Sequence, residues 1–185
     1  MLPDRGFGDV VDVGCGRGQL GVLLLEAGAA RSVFGLDRNA AQLAEAEAAA
    51  GELAFRAVCR DLLRDQSLPA ADTVFLIDVL YQLDTPVQHA LLASAAAAAR
   101  RCVVIRSADP GRGVRSAISL GLEVLGRRIW PHAGARVNPR PVPDLAATLT
   151  AAGFAITAAP CWRGTPFANV LLIGRREPSP APCAP

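Results

Sequence analysis

The sequence predicts an α/β fold: a doubly wound, mostly parallel sheet of seven strands that ends in an antiparallel hairpin. The first observation is an alternation of short, near-continuous apolar runs with Ala- and Leu-rich stretches of helical spacing. The second is a Gly-rich loop, "GCGRG", directly after the first apolar run. The third is a final pair of runs, "FAITAAP" and "FANVLLIGRR", whose link is too short for a helical crossover.

Five apolar runs are expected to form the parallel strands, because each is short, rich in β-branched residues and bounded by turn residues. Near-continuous apolar strands indicate a sheet that is covered by helices on both faces. The runs occupy residues 9–13, 32–37, 53–58, 72–77 and 102–106.

Capping residues mark the helices between these runs. Asn39, with a Gln three residues later, resembles a capping box, and Gly51 is expected to close that helix. Thr85 followed by Pro86 predicts a cap and an N1 proline at the start of a helix that runs to about residue 100. These signals place helices between the strands, as a βαβ arrangement requires.

The alternation breaks after the fifth run. Residues 107–143 are rich in Gly and Pro, and a short helix is expected near 144–152, where Gly153 should end it. One domain is therefore predicted over residues 1–177, with 107–143 as an insertion. The Pro-rich tail at 178–185 is expected to be disordered.

The composition excludes several kinds of protein. Across 185 residues the formal net charge is only +2, which gives no argument for nucleic acid or an anionic membrane as partner. The cysteines form no CxxC pair, so no metal site is expected. All basic residues are Arg, which excludes lysine chemistry. With no signal peptide and no apolar run of membrane length, a cytoplasmic protein is expected.

The Gly-rich loop allows two interpretations. Gly14-x-Gly16-x-Gly18 is a tight turn directly after the first strand, whereas Gly16-x-Gly18-x-x-Gly21 is the dinucleotide-binding pattern. The first frame is favoured because the strand runs straight into Gly14, so the second frame starts too late. Asp12 at the strand end also suits a ligand with positive charge and would repel a pyrophosphate. In either frame the glycines let the backbone approach a ligand closely.

Four segments occur in the order and spacing of a known family. "VVDVGCGRGQ", "VFGLD", "CRDLL" and "DTVFLIDVLYQL" together resemble class I S-adenosylmethionine-dependent methyltransferases over about residues 9–175. The resemblance implies a Rossmann-like fold, S-adenosyl-L-methionine as cofactor and S-adenosyl-L-homocysteine as product. A fainter likeness to small methyltransferases of bacterial polyene and lipid biosynthesis clusters implies methylation of a hydroxyl group.

Most cofactor-binding residues are expected at the carboxyl ends of strands, where ligands of parallel sheets bind. Asp37 is expected to accept both ribose hydroxyls. The resemblance implies that Asp61 accepts the adenine amino group and that Asp78 lies beside the methionine end. A surface ion pair of Asp61 with Arg60 or Arg64 is the alternative. The predicted set is Asp12, Gly14, Cys15, Gly16, Gly18, Asp37, Arg38, Asp61, Leu62 and Asp78.

The acceptor side has two catalytic candidates. His132 lies in the 107–143 insertion, where the family builds its substrate wall, and is a candidate general base. Tyr81, three residues after Asp78, faces the site by family analogy and is a candidate substrate or cofactor contact, with core packing as the alternative. The [DN]PP[YF] motif, the paired glutamates and the metal-binding acids of other methyltransferase classes are missing. A small molecule or a carrier-bound group remains as the acceptor.

The excess of positive charge in and beside the insertion is informative about the charge of the substrate. Residues 106–140 contain seven arginines against Asp109 and Glu123, which predicts attraction of an anionic substrate or carrier; a solvated structural face is the alternative. Because little chain precedes the first strand, either the insertion or a partner is expected to cover the site, or the chain is truncated; a homodimer is one possible arrangement. Three other functions also stay open: a non-catalytic cofactor-binding partner subunit, an NAD(P)-dependent oxidoreductase and an RNA methyltransferase.

Overall fold

The computed structural model describes residues 6–111, 113, 116, 121, 138–161 and 168–176. Its strands are β1 (Asp9–Val13), β2 (Ser32–Asp37), β3 (Phe55–Cys59), β4 (Ala71–Ile77), β5 (Ala99–Ala108), β6 (Phe154–Pro160) and β7 (Asn169–Arg176). Its helices are α1 (Gln19–Glu26), α2 (Ala40–Ala50), α3 (Thr85–Ala98) and α4 (Val142–Ala151), and a single 3₁₀ turn spans Leu80–Gln82.

The seven strands of the described chain form one sheet in the order β3-β2-β1-β4-β5-β7-β6. The first five strands are parallel, and β7 runs antiparallel to both β5 and β6. The predicted fold is therefore confirmed, including the insertion of the last strand beside the fifth. A short connection between β6 and β7 permits only antiparallel pairing, which is why the sequence could show this.

Two helix starts illustrate what local sequence does and does not determine. The Asn39 side chain accepts hydrogen bonds from the backbone N–H of Ala41 (3.1 Å) and Gln42 (3.2 Å), as the predicted cap requires. The predicted cap at Thr85 is wrong, because Thr85 is already helical and Asp84 is the capping residue. The Thr85 hydroxyl instead accepts a hydrogen bond from the Asn138 side chain at 3.1 Å, a long-range contact that local pattern does not reveal.

Both faces of the sheet are buried. One face packs against α3 and α4 around Leu76, Leu91 and Leu145, and the other packs against α1 and α2 around Val33 and Phe55. Burial on both faces leaves the strand ends as the places where polar groups can gather. None of the helices in the described part of the chain combines the length and the hydrophobicity that a membrane span requires.

A single arginine joins several elements at the amino-terminal edge of β5. The Arg176 guanidinium donates to the carbonyls of Ala96 (2.8 Å), Ala99 (3.2 Å) and Ala152 (3.1 Å), and it lies 4.3 Å from the Phe154 ring centroid. It thereby occupies carbonyls at the carboxyl ends of α3 and α4, which lack intrahelical partners. The candidate site lies at the opposite end of these strands, at their carboxyl ends.

Candidate functional site

A cavity of about 600 Å³ opens at the carboxyl edge of the parallel strands, where the chain leaves β1 to β4. Open α/β sheets bind ligands at this edge. Six of the predicted cofactor-binding residues line it, together with several that the sequence did not single out. The lining comprises Gly14, Asp37, Arg38, Arg60, Asp61, Leu62, Leu63, Ile77, Asp78, Val79, Gln82, Leu83 and Asp84.

The Gly-rich loop turns tightly over the end of β2. The N–H groups of Gly14 and Cys15 both donate to the Leu36 carbonyl, at 2.7 and 3.0 Å. Gly14 has a φ of 73°, and a Cβ there would lie 3.0 Å from Val79 Cγ2. A side chain at Gly14 would therefore strain the turn and narrow the cavity.

The later glycines of the loop are needed for packing. A Cβ on Gly18 would lie 2.8 Å from Ala46 Cβ, and one on Gly21 would lie 2.7 Å from Phe55 Cε2. Both distances are shorter than carbon atoms tolerate, so α1 can pack against α2 and β3 only through glycine. Packing thus explains why residue 21 is a glycine, and no bound pyrophosphate is needed to explain it. This supports the interpretation in which the Gly-rich motif begins at Gly14.

Asp37 ends β2 and holds the loop in place. One carboxylate oxygen, Oδ2, accepts a hydrogen bond from Gly16 N–H at 2.9 Å, and Oδ1 accepts one from Asn39 N–H at 2.9 Å. A carboxylate has about four lone-pair directions, so each oxygen retains one for a ligand. The side chain is half-buried and lines the cavity, which suits a pair of hydroxyl donors.

Asp61 and Leu62 form the far end of the cavity, beyond β3. Asp61 Oδ1 accepts a hydrogen bond from Leu63 N–H at 3.0 Å, and its other oxygen lies 3.5 Å from Nε of the exposed Arg64. Arg60 is instead 3.6 Å from Asp65. Of the two alternative ion pairs, the one with Arg64 forms, and it is solvent-exposed and therefore weak. Leu62 is buried and gives this end an apolar wall.

Asp12 and Cys15 lie outside the cavity lining. Asp12 is 4% exposed, and burial together with the nearby Asp37 charge raises its pKa to about 7. The Cys15 side chain packs on Gly35, where an added Cβ would come within 2.6 Å of Sγ. Burial, Asp12 and Asp37 raise the pKa of the Cys15 thiol to about 12, so it is unreactive at neutral pH.

Asp78 forms the opposite end of the cavity, beyond β4. Its φ is 57°, and it is the one non-glycine residue with positive φ in the described chain. Its N–H donates to the Arg106 carbonyl at 3.0 Å, and its Oδ2 lies 2.5 Å from Arg106 Nη1. The Gln82 side chain donates to the Asp78 carbonyl. Arg106 and Gln82 were not predicted, although Gln82 falls within the quoted motif "DTVFLIDVLYQL".

Of the two catalytic candidates, the described part of the structure contains Tyr81 alone. Tyr81 is 8% exposed and belongs to the buried residues beneath the cavity rather than to its lining. His132 lies outside the described residues. Asp84, which precedes α3, lines the cavity and its side chain makes no capping hydrogen bond.

Both ends of the insertion are anchored near this edge. At the departing end, Asp109 N–H donates to the Ala168 carbonyl at 2.8 Å. At the returning end, the buried Gln88 amide donates to the Asn138 and Leu83 carbonyls, both at 2.8 Å. Leu83 itself lines the cavity. The chain therefore re-enters the described fold beside the Asp78 end of the cavity.

Comparison with known proteins identifies the domain. The methyltransferase domain family matches residues 10–101, about half of the chain. No curated protein matches the chain in sequence. Among solved structures, the chain is similar to magnesium protoporphyrin IX methyltransferase from Synechocystis PCC 6803 with bound S-adenosylhomocysteine. That match has 26% identity and a TM-score of 0.67, and it covers 91% of this chain and 74% of that one.

Two further structures share the fold. An S-adenosylmethionine-dependent methyltransferase from Mesorhizobium loti matches with a TM-score of 0.73 at 20% identity, over 95% of this chain and 94% of that one. An O-methyltransferase family protein from Burkholderia thailandensis matches with a TM-score of 0.72 at 20% identity, over 93% and 52%. The family match, the strand order and the S-adenosylhomocysteine or S-adenosylmethionine bound in the neighbouring structures all indicate the same family. The chain belongs to the class I S-adenosylmethionine-dependent methyltransferases, and S-adenosylmethionine is its cofactor.

Proposed function

We propose that the chain methylates a hydroxyl group of a small-molecule or carrier-bound acceptor that carries negative charge. The observation that carries this proposal is the cavity of about 600 Å³, one end of which adjoins the returning end of the insertion. One groove can then hold the cofactor along the strand ends and receive the acceptor beside Leu83. The 107–143 insertion is the segment that we assign to the substrate wall.

The proposed orientation of the cofactor in this cavity follows from the positions of three carboxylates. The strand order puts Asp37 and Asp61 on one side of Gly14 and Asp78 on the other. Asp37 keeps two acceptor directions for the ribose hydroxyls, and Asp61 lies beyond it for adenine. The sulfur end then passes Gly14, where a Cβ would contact a neighbouring side chain at 3.0 Å, and lies next to Asp78.

S-adenosylmethionine, when bound, supplies an activated methyl group on a positively charged sulfur. The chain's own residues must align the acceptor, exclude water and take up the proton that a hydroxyl loses. Val79 and Leu83 are apolar walls at this end of the cavity. Asp84 lines the same end and its side chain makes no capping hydrogen bond to α3, so we assign its carboxylate to proton uptake, with His132 as the second candidate.

The choice of oxygen rests on Asp84, because a hydroxyl needs a base whereas a neutral amine does not. The solved neighbours include an O-methyltransferase family protein and, at 15% identity, the N-methyltransferase NodS, so they support methyl transfer to a heteroatom. The choice of an anionic acceptor rests on the six arginines between residues 107 and 140, which stand against two acids; Arg106 is not counted, because Asp78 balances its charge.

The test is methyl transfer to matched pools of acceptors, followed by mass spectrometry. One pool holds phenolic and hydroxyacyl acids, the second holds their neutral amides, and the third holds amine analogues of the acids. We expect the mass of a methyl group to appear in the first pool, and Asp84→Asn to lower that rate while cofactor affinity is kept. Labelling confined to amines would refute the hydroxyl assignment.

Salt dependence tests the anionic part of the proposal. Neutralising Arg112, Arg115 and Arg136 together should lower the specificity constant at low salt and flatten its salt dependence, because steering by exposed charges is screened at high salt. Identical kinetics in variant and parent at both salt concentrations would support the solvated face instead. If the parent protein binds the cofactor but methylates none of the three acceptor pools, the result would support the alternative that the chain is a non-catalytic partner subunit.

A further inference from the structure

The Asp78–Arg106 ion pair is a feature of the cavity that cofactor binding alone does not require. Asp78 Oδ2 and Arg106 Nη1 are 2.5 Å apart, and the two side chains are 30% and 39% exposed. The register of β4 and β5 brings the two residues together. Ile77 on β4 lies opposite Arg106 on β5, and Asp78 directly follows Ile77 at the end of the strand. The backbone reinforces it, since Asp78 N–H donates to the Arg106 carbonyl at 3.0 Å.

The pair lies at the sulfur end of the cavity. This placement rests on the proposed function, in which Asp37 takes the ribose and the ligand crosses Gly14 toward Asp78. Asp78 lines the cavity, whereas Arg106 stands behind it on the next strand. A positively charged sulfur would therefore meet a carboxylate whose charge is already balanced by a guanidinium.

Charge balance matters here because substrate and product differ by one charge. S-adenosylmethionine has a cationic sulfur, and S-adenosylhomocysteine has a neutral one. A carboxylate without a countercharge would stabilise the cationic form selectively, and that attraction would be lost as the sulfur charge disappears in the transition state. Binding of that kind favours the reactant and does not speed the reaction.

We infer that Arg106 is a positioning residue that balances the Asp78 charge and thereby sets the relative affinities of the charged cofactor and its neutral product. Asp78 is held in a left-handed backbone conformation, with its N–H, carbonyl and carboxylate all bonded to neighbours. Its carboxylate is thus fixed, and its effect on the ligand depends on the partner charge. Removing the guanidinium changes that charge.

The experiment measures the affinities of S-adenosylmethionine and S-adenosylhomocysteine by calorimetric titration, in the parent and in variants. In Arg106→Gln the affinity ratio should shift about tenfold toward S-adenosylmethionine, as a Coulomb attraction across a partly hydrated site of this size implies. Asp78→Asn should shift the ratio the opposite way, because the guanidinium then faces the sulfur without its countercharge. The double variant should return close to the parental ratio, and Arg106→Lys should keep it.

Arg175→Gln is the matched control, because it removes the same charge from an exposed position on β7 away from the cavity. It should leave the ratio unchanged. A ratio that stays constant in both Arg106→Gln and Asp78→Asn overturns the inference, even if both variants bind more weakly. A parent that binds neither ligand would instead refute the proposed function. Asn tolerates positive φ, so Asp78→Asn keeps the test open if Arg106→Gln does not fold.

Discussion

Asp37 combines two tasks that depend on the same carboxylate. It fixes the Gly-rich loop through Gly16 N–H and fixes the start of α2 through Asn39 N–H, both at 2.9 Å. The side chain also lines the cavity, and its carboxylate has lone pairs that these two hydrogen bonds do not use. A residue at a strand end can therefore organise a loop and present acceptors to a ligand at once, without a further charged group.

Asp37→Ala is expected to weaken the binding of S-adenosylhomocysteine by tenfold or more. The reason is the loss of one or two charge-assisted hydrogen bonds, each of about 1.5–3 kcal/mol, to the ribose. Glu26→Ala is the control, since it removes an exposed acid at the end of α1 and should leave the affinity unchanged. An unaltered dissociation constant in Asp37→Ala would rule out the ribose assignment.

Asp12 is expected to make the ligand-free fold less stable as pH rises. Its pKa in the fold is about 7, against an ordinary value of 3.8, so the folded protein holds a proton that the unfolded chain releases. The penalty is absent below about pH 4, grows between pH 4 and 7 and is complete above pH 7. A rise in pKa of this size corresponds to a penalty of about 4 kcal/mol.

Urea denaturation of the parent and Asp12→Asn at pH 5 and pH 8 checks this pH dependence. The free energy of unfolding of Asp12→Asn should rise relative to that of the parent between the two pH values, because the amide cannot ionise. A constant difference between variant and parent would show that Asp12 ionises in the fold as it does in water.

At the scale of elements, the sequence predicted those features that depend on neighbouring residues. Strands β1 and β2 have the predicted bounds, and Asn39 caps α2 as expected. The cap of α3 was misplaced by one residue, because Thr85 is engaged by Asn138 from the returning end of the insertion. Arg106 was missed as a site residue for the same reason: only the register of β4 and β5 brings it to Asp78.

The glycine at the start of α1 provides an element-scale prediction. Gly18→Ala should lower the free energy of unfolding by about 2–5 kcal/mol. This loss is the sum of two costs: strain of the left-handed backbone and overpacking against Ala46 and Phe55. Gly28→Ala is the matched control, because its φ of 62° is similar and no atom lies within 4 Å of the added Cβ. It should cost about 1–2 kcal/mol. Equal losses in thermal or urea unfolding would contradict a packing role for Gly18.

At the scale of the whole molecule, the sheet divides the chain into two functional edges. Arg176 joins helix ends at one edge, and the loops after β1 to β4 form the cavity at the other. The sequence could predict this division, because strand ends and Gly-rich turns are local signals. It could not show which residues meet across the β4–α3 turn, where Gln82 and Asp84 join the lining through tertiary packing.

The central claim is that this edge binds S-adenosylmethionine rather than a dinucleotide. The most direct measurement is calorimetric titration of the full chain with S-adenosylhomocysteine and, in parallel, with NAD⁺ and NADP⁺. We expect saturable one-to-one binding of S-adenosylhomocysteine that neither dinucleotide displaces, because the Gly-rich motif begins at Gly14 and packing explains Gly21. Saturable binding of either dinucleotide, with no heat from S-adenosylhomocysteine, would instead show a dinucleotide site.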